Sequence, residues 1–292
     1  MTMLLRNKED RVLEALRECS PSLEQLGRWD WRLGINGQIR ARVQDGWLSL
    51  SASPDGRKFK PDARSLLRLL EWNREVGGGG KFVLLPDRSP GIRAEIPLEE
   101  EGSLVRRVCD AYVGMENAMK RSGSPRFRDD PGRYPVITSH NGGSEWDPRD
   151  LCREADWQFT ERESGIAVPL EGPGFHQAIV RNDRGNSHAN VTLLEWESLP
   201  DECVLAIASL LLTAGAVVRM VRPFAQPDRS HHKVGFEVAL RGEPSAAEVG
   251  HALSSLSVAC RSCAQELKAL ENPDIAGAYL GIRGWQTSRS RH

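Results

Sequence analysis

Apolar residues recur at helical spacing along residues 6–19, at Val12, Leu13 and Leu16, until Ser20-Pro21 stops the run. Three strand-like stretches follow. In residues 29–33, Trp29, Trp31 and Leu33 alternate with Asp30 and Arg32; in 38–43, Ile39, Ala41 and Val43 alternate with Arg40 and Arg42. Residues 47–51 alternate less cleanly. Asn36-Gly37 and Asp45-Gly46 supply the turns, so this region predicts a meander with one dry and one wet face. A helix is expected over 61–76 on Leu66, Leu67, Leu69 and Leu70, and the run Gly77 to Gly80 ends it. Strands at 81–85 and 92–98 follow. A long helix from Ser103 to about Arg121 carries the stripe Leu104, Val108, Ala111, Met115 and Met119.

Residues 122–147 break the pattern with prolines, glycines and charges and read as a linker. After it the order returns: a short helix at 148–155, then strands at 157–161, 165–170, 175–182 and 188–196. The last two are joined through Asp183, Arg184, Gly185 and Asn186. A helix at 200–214, strands at 216–221 and 233–240, and a helix at 245–270 complete it, the last opened by Ser245 and Glu248 as a capping box. Phe82 lies opposite Val217, Ile92 opposite Val234 and Ser103 opposite Ser245, all about 135 to 142 residues apart, which is the spacing of a domain duplication rather than of a short repeat. The expected organisation is a first α+β module over 1–122, a linker over 123–147, a second module over 148–272 and a tail over 273–292.

The two middle helices differ. The first keeps Arg64, Arg68, Glu71 and Arg74. The second, with Val204, Leu205, Ile207, Ala208, Leu210, Leu211 and Leu212, has no wet face and must be covered on more than one side. It is therefore expected at the junction of the modules.

The order α-βββ-α-ββ-α resembles the type III secretion chaperone-like fold, a family of small bacterial modules that pair as homodimers. The resemblance covers residues 6–121 and 148–270 and rests on element order, with no motif matched residue by residue. It implies two tandem α+β modules, antiparallel meander sheets packed on helices, arranged as a pseudo-dimer in one chain. It also implies an activity: holding a partner segment without chemistry. The chain differs from the small acidic members in being fused, near neutral and longer by a strand in its second meander.

Composition narrows the choice. The chain has 292 residues, 39% hydrophobic and 27% charged, values of a globular protein. Net charge is −1, so the overall field favours neither nucleic acid nor an anionic membrane. Arginine outnumbers lysine 32 to 7, which reads as genomic base composition ahead of a surplus of carboxylate-pairing guanidiniums. No export signal is visible, and the longest apolar run, residues 203–214, falls short of the roughly 20 residues that span a bilayer. The six cysteines lie far apart in apolar helical stretches and read as reduced core thiols of a cytoplasmic protein.

Candidate chemistry is thin. Cys260 and Cys263 belong to the stripe Val249, Leu253, Leu256, Cys260, Cys263, Leu267 and Leu270, and read as core. Zinc would need two further ligands that no spacing provides. His231 and His232 point to opposite faces of an extended segment, although His176 and His188 could approach them. Gly77 to Gly80 precedes a strand, so it offers no phosphate cradle at a helix start. Asp129, Asp130, His140, Glu145, Asp147 and Asp150 could serve a hydrolase-like site in or beside the linker, the alternative to binding. Arg40, Arg42, Arg219 and Arg222 near aromatics are a minor pointer to single-stranded nucleic acid. The tryptophans Trp29, Trp31, Trp47, Trp157 and Trp196 concentrate on the two meanders, where burial under the long helices is the first expectation for most; those left exposed would anchor a partner, and Trp29, Trp31, Trp157 and Phe159 are the residues expected to do so. The reading is a non-catalytic protein- or peptide-binding protein without cofactor or metal, a monomer with an internal pseudo-dimer; a small-ligand-binding regulatory role is the further alternative.

Overall fold

The structure is a computed structural model that describes residues 2–20, 22–34, 38–54, 61–98, 104–123, 146–163, 165–172, 174–182, 188–228, 231–240 and 244–285. The Asn36-Gly37 turn, the 183–186 turn, Ser103 and most of the linker, including Asp129, Asp130, His140 and Glu145, lie outside the described residues.

The first half runs α1 (Thr2–Cys19), β1 (Leu23–Gly27), β2 (Asp30–Leu33), β3 (Ile39–Gln44), β4 (Trp47–Ala52), α2 (Ala63–Glu75), β5 (Lys81–Leu84), β6 (Pro90–Pro97) and α3 (Leu104–Gly123). The second runs α4 (Pro148–Glu154), β7 (Thr160–Arg162), β8 (Gly165–Leu170), β9 (His176–Arg181), β10 (His188–Trp196), α5 (Asp201–Val217), β11 (Arg222–Asp228), β12 (His231–Ala239), α6 (Ala246–Ala269) and α7 (Pro273–Ile282). Each half folds one antiparallel six-stranded sheet. The orders are β1-β2-β3-β4-β6-β5 and β7-β8-β9-β10-β12-β11, the same topology twice. The protein is α+β, built from two like halves in tandem.

Four differences from the sequence reading emerge. The first meander has four strands, not three, so the two copies match more closely than the pattern shows. β1 escapes detection because Glu24, Gln25, Leu26 and Gly27 are all exposed and carry no alternation. The strand expected at 216–221 begins at Arg222 instead, because α5 continues to Val217 before the chain turns. The expected tail is in part a helix: Asn272 caps α7 by accepting from the amides of Asp274 and Ile275, and Ala276 and Leu280 are buried against the core. Finally, Cys19 and Cys109 are joined as a disulfide that ties the end of α1 to α3, so not all six thiols are reduced core groups. These two helices pack side by side, a proximity that a separation of 90 residues conceals. The count of thiols therefore no longer argues for a reducing compartment.

Helix periodicity transfers well. Val249, Leu253, Leu256, Cys260, Cys263 and Leu267 are all buried on α6, as is its C-cap Leu270, and Leu104, Val108, Ala111 and Met115 are buried on α3. Asp45 and Gly46 both take positive φ (51° and 76°), as the β3–β4 hairpin turn requires. No helix among the described residues is long and apolar enough to cross a membrane.

The halves meet through α5. It packs on α2 and β5 of the first half and on α6, α7 and β11 of its own. Reciprocally, α2 packs on β11. Middle helix meets middle helix, and each covers the fifth strand of the other copy, the isologous arrangement of a two-fold pair. Cys203, Ala206, Ile207, Ala208, Leu211 and Leu212 are all essentially inaccessible, as the helix's lack of a wet face demands. Each leucine so buried contributes about 1.5–3 kcal/mol. Gly215 lets the end of α5 approach closely: a Cβ there would stand 2.7 Å from Pro223 Cδ and 3.7 Å from Val83 Cγ1.

A seam of this kind makes the halves unfold together. Gly215→Leu, which forces α5 away from β5 and β11, is expected to cost about 1–3 kcal/mol. Urea titrations followed by tryptophan fluorescence and by far-UV circular dichroism should shift together and remain coincident. Two separated transitions would show that the halves are independent.

Candidate functional site at the seam

The seam is polar at its centre. Asn73, on α2 and wholly buried, accepts from the Phe82 amide (2.5 Å) and donates to the carbonyls of Phe82 (3.0 Å) and, across the seam, Pro223 (2.8 Å). It thus fastens helix, β5 and β11 at one point. Lys81 opens β5 with its side chain 1% exposed and forms an ion pair with Glu95 of β6 at 2.8 Å. The same ammonium donates to the carbonyls of Val218 (3.1 Å) and Val221 (3.0 Å) in the other half. Arg93 donates to Ala216 O at 2.6 Å. On the facing side Arg222 of β11 meets Glu237 of β12 at 2.7 Å, and Arg74 of α2 approaches the same carboxylate at 3.5 Å. Burial pushes the Lys81 ammonium below its ordinary pKa, and the Glu95 carboxylate opposes that push.

Beside this network lies a cleft of about 70 Å³. The loop before the fifth strand, the end of the sixth strand and the start of the last helix line it from both copies. The first half provides Gly78, Glu95 and Arg107; the second provides Met220, Arg222 and Glu248, with Val238 among the apolar walls. The cleft therefore sits where the pseudo-two-fold brings equivalent pieces together. Two backbone conformations shape it. Gly78 has φ +61°, and a Cβ there would stand 2.3 Å from Asp110 O, so the glycine run is a close-packed saddle on α3 rather than only a helix stop and flexible turn. Met220 holds φ 62°, a costly conformation for a side chain of its size, in the equivalent loop.

The aromatics expected to bind partners are placed differently. Trp31 is wholly buried and supports the core from β2, so it offers a partner no surface here. Trp29 sits half-buried in the β1–β2 turn at φ 65°, edge-on to Trp31 with ring centroids 6.3 Å apart. Trp157 is half-buried before β7, its amide donating to Cys152 O at 2.8 Å, and Phe159 lies 5.5 Å under the Arg153 guanidinium. Trp29, Trp157 and Phe159 thus flank the outer edge strands β1 and β7.

The other candidates scatter. Arg40 and Arg42 are held on Asp30 (2.6 and 3.1 Å), Arg219 stacks 5.3 Å over Trp47, and Arg222 is buried at the seam, so they form no common surface. His232 stacks on Trp196 with centroids 5.7 Å apart. Cys260 is buried, which pushes its thiol up to about 12, with Cys263 adding to the shift. Asp147 is the N-cap of α4, accepting from Arg149 N, and Asp150 pairs with Arg153 within that helix. Among the described residues no group of three or more histidine, cysteine or acidic side chains could hold a metal ion.

Pattern reading does not single out Asn73, Lys81, Glu95 and Glu237 as site residues, and it gives Arg222 a different role, beside the aromatics. Each looks like an ordinary wet-face residue of a helix or strand until a second copy covers that face. The one available signal was the apolar α5, which requires such a cover. No protein-family model, no curated protein and no solved structure matches the chain.

Removing one partner of the buried pair leaves a stranded charge, so Lys81→Met is expected to cost about 3–5 kcal/mol, whereas Lys81→Met with Glu95→Gln recovers much of it. Urea midpoints of the single and double variants measure this; equal losses in both would refute the pair's role. On the wet face, the hydrogen bonds from Arg40, helped by Arg42, lower the Asp30 pKa from 3.8 to about 2. A lowered carboxylate stabilises above its unfolded pKa and loses that contribution as pH falls through the folded one. Wild type should therefore lose more stability than Asp30→Asn between pH 4 and pH 2. Solvent screening limits the difference to under about 1 kcal/mol. Parallel acid titrations of the two proteins test the sign.

Proposed function

We propose that the protein binds a protein or peptide segment without catalysis, the partner adding as a strand to an outer sheet edge. One observation carries this reading. Each sheet has an inner edge, β5 or β11, consumed by the seam, and an outer edge, β1 or β7, beyond which no strand lies among the described residues. Such an edge presents a row of backbone donors and acceptors that can template an extended segment. β1 is the better candidate of the two. It is five residues long, Glu24 to Gly27 are exposed, Leu26 is 40% exposed, and Trp29 stands in the adjoining turn as an aromatic anchor. β7 has three residues, with Trp157 and Phe159 leading into it. The resemblance to type III secretion chaperones agrees with this activity, which needs no reactive group. A cytoplasmic setting and a single-chain pseudo-dimer belong to the same proposal.

Panning a random peptide library against the purified full chain tests it. Enriched peptides should bind in fluorescence anisotropy, with Leu26→Asp and Trp29→Ala each weakening binding about tenfold, a loss of about 1.4 kcal/mol. Hydrogen exchange should slow at the β1 amides in the complex. Failure of any peptide to enrich, or binding indifferent to both substitutions, would sink the reading.

A further inference from the structure

We propose that Cys19 and Cys109 form a redox-operated latch: a thiol reductant opens their disulfide, releases α1 from α3 and loosens the β1 edge. Of the six cysteines, these two alone are half-buried; Cys152, Cys203, Cys260 and Cys263 are buried. The Cys19–Cys109 bond is therefore one that a dissolved thiol can reach. The pseudo-repeat shows that such a bond is not needed to build a half. α4, the counterpart of α1, opens the second copy with its Cys152 a free thiol, seated on α6 and β8. α1 is held differently. It packs on α3, burying Val12, Ala15 and Leu16, and shares no comparable contact with another element among the described residues. The disulfide closes the end of that single attachment.

The latch reaches β1 from both ends. Cys19 lies just before Leu23, where β1 begins. Between them, Ser20 Oγ donates to Ser22 O at 2.7 Å and accepts from Gly34 N at 3.1 Å, and Ser22 Oγ donates to Gly34 O at 2.7 Å. This corner ties the start of β1 to the end of β2. Tyr112 of α3, one turn beyond Cys109, has its hydroxyl 3.6 Å from where a Cβ on Gly34 would stand. Past the far end of β1, Arg28 pairs with Glu9 of α1 at 3.5 Å. A helix that lifts from α3 thus disturbs both ends of the edge strand. The step is thiol–disulfide exchange. A thiolate of a dithiol attacks one sulfur, forms a mixed disulfide and releases the other cysteine; the second thiol of the dithiol then displaces the remaining one. The protein gains two thiols, and the dithiol, which supplies both electrons and both protons, becomes a disulfide. Oxidised glutathione reverses the exchange. In a reducing compartment the latch rests open and closes on oxidation. This deepens the strand-edge reading and rests on it only for what the edge binds: a closed latch preorganises β1, so a peptide binds the oxidised form more tightly.

The test is hydrogen exchange, read by mass spectrometry on the full chain, oxidised or reduced with dithiothreitol. Amides of α1 and β1 are expected to exchange about tenfold faster after reduction, while those of α4 and β7, their counterparts in the second copy, keep their rates. Cys109→Ser exchanges like the reduced protein with or without dithiothreitol, and Cys152→Ser keeps the wild-type response. Equal rates in the two states, faster exchange spread over both copies, or a disulfide that dithiothreitol leaves intact in the folded protein would overturn the proposal. A peptide enriched on β1 is expected to bind the reduced protein about fivefold more weakly in fluorescence anisotropy. Equal affinity in the two states would overturn the control of binding. If no peptide enriches, the strand-edge reading fails, and the exchange rates still decide the latch.

Discussion

A helix with no wet face cannot be half-covered, and α5 sets that condition for the whole molecule. A single meander sheet with its final helix hides one side of such a segment. The remaining sides need a second body, and the tandem copy provides it through α2 and β5. Once α5 is seated there, its counterpart α2 falls on β11, and the inner edges of both sheets are closed at once. The pairing thereby removes two of the four edges that open sheets would expose. Hydrophobic cover is the driving term.

Burial alone does not set how two greasy surfaces are aligned. Along the seam that task falls to groups with direction: Asn73 reaching Pro223, Lys81 reaching Val218 and Val221, Arg93 reaching Ala216. Buried ion pairs are poor net stabilisers against well-packed apolar replacements, but they penalise wrong alignments heavily, since a slipped seam leaves charges unanswered. Each ion pair, Lys81–Glu95 and Arg222–Glu237, lies within one half; the charged groups that cross the seam are Lys81, to the carbonyls of Val218 and Val221, and Arg74, to Glu237, and we read these contacts as determinants of alignment.

Much of this is legible in the amino-acid sequence. The duplication, the two-layer halves, the α6 stripe through Cys260 and Cys263, and the seam position of α5 all follow from periodicity, because burial by a neighbour close in sequence imposes a period on the chain. What periodicity could not show depends on contacts between distant segments. β1 has no dry face. Asn73 and Lys81 look solvated until the other copy arrives. Cys19 and Cys109 meet only because α1 and α3 run side by side. Gly78 read as a helix stop because the chain does end a helix there. Its tighter constraint, the carbonyl of Asp110, lies on a different element.

The position of the cleft on the pseudo-two-fold has an evolutionary meaning. In a dimer of identical chains, any residue beside the axis appears twice, the two copies related by the two-fold rotation. Covalent duplication lifts that obligation. The loop that is glycine in one copy is Met220 in the other, both at positive φ, and the strand that opens with Lys81 in one opens with Arg222 in the other. Two independently mutable versions of each position let the two ends of the cleft differ in shape and charge. A pair of identical chains, held to one residue at both places, could not carry that difference.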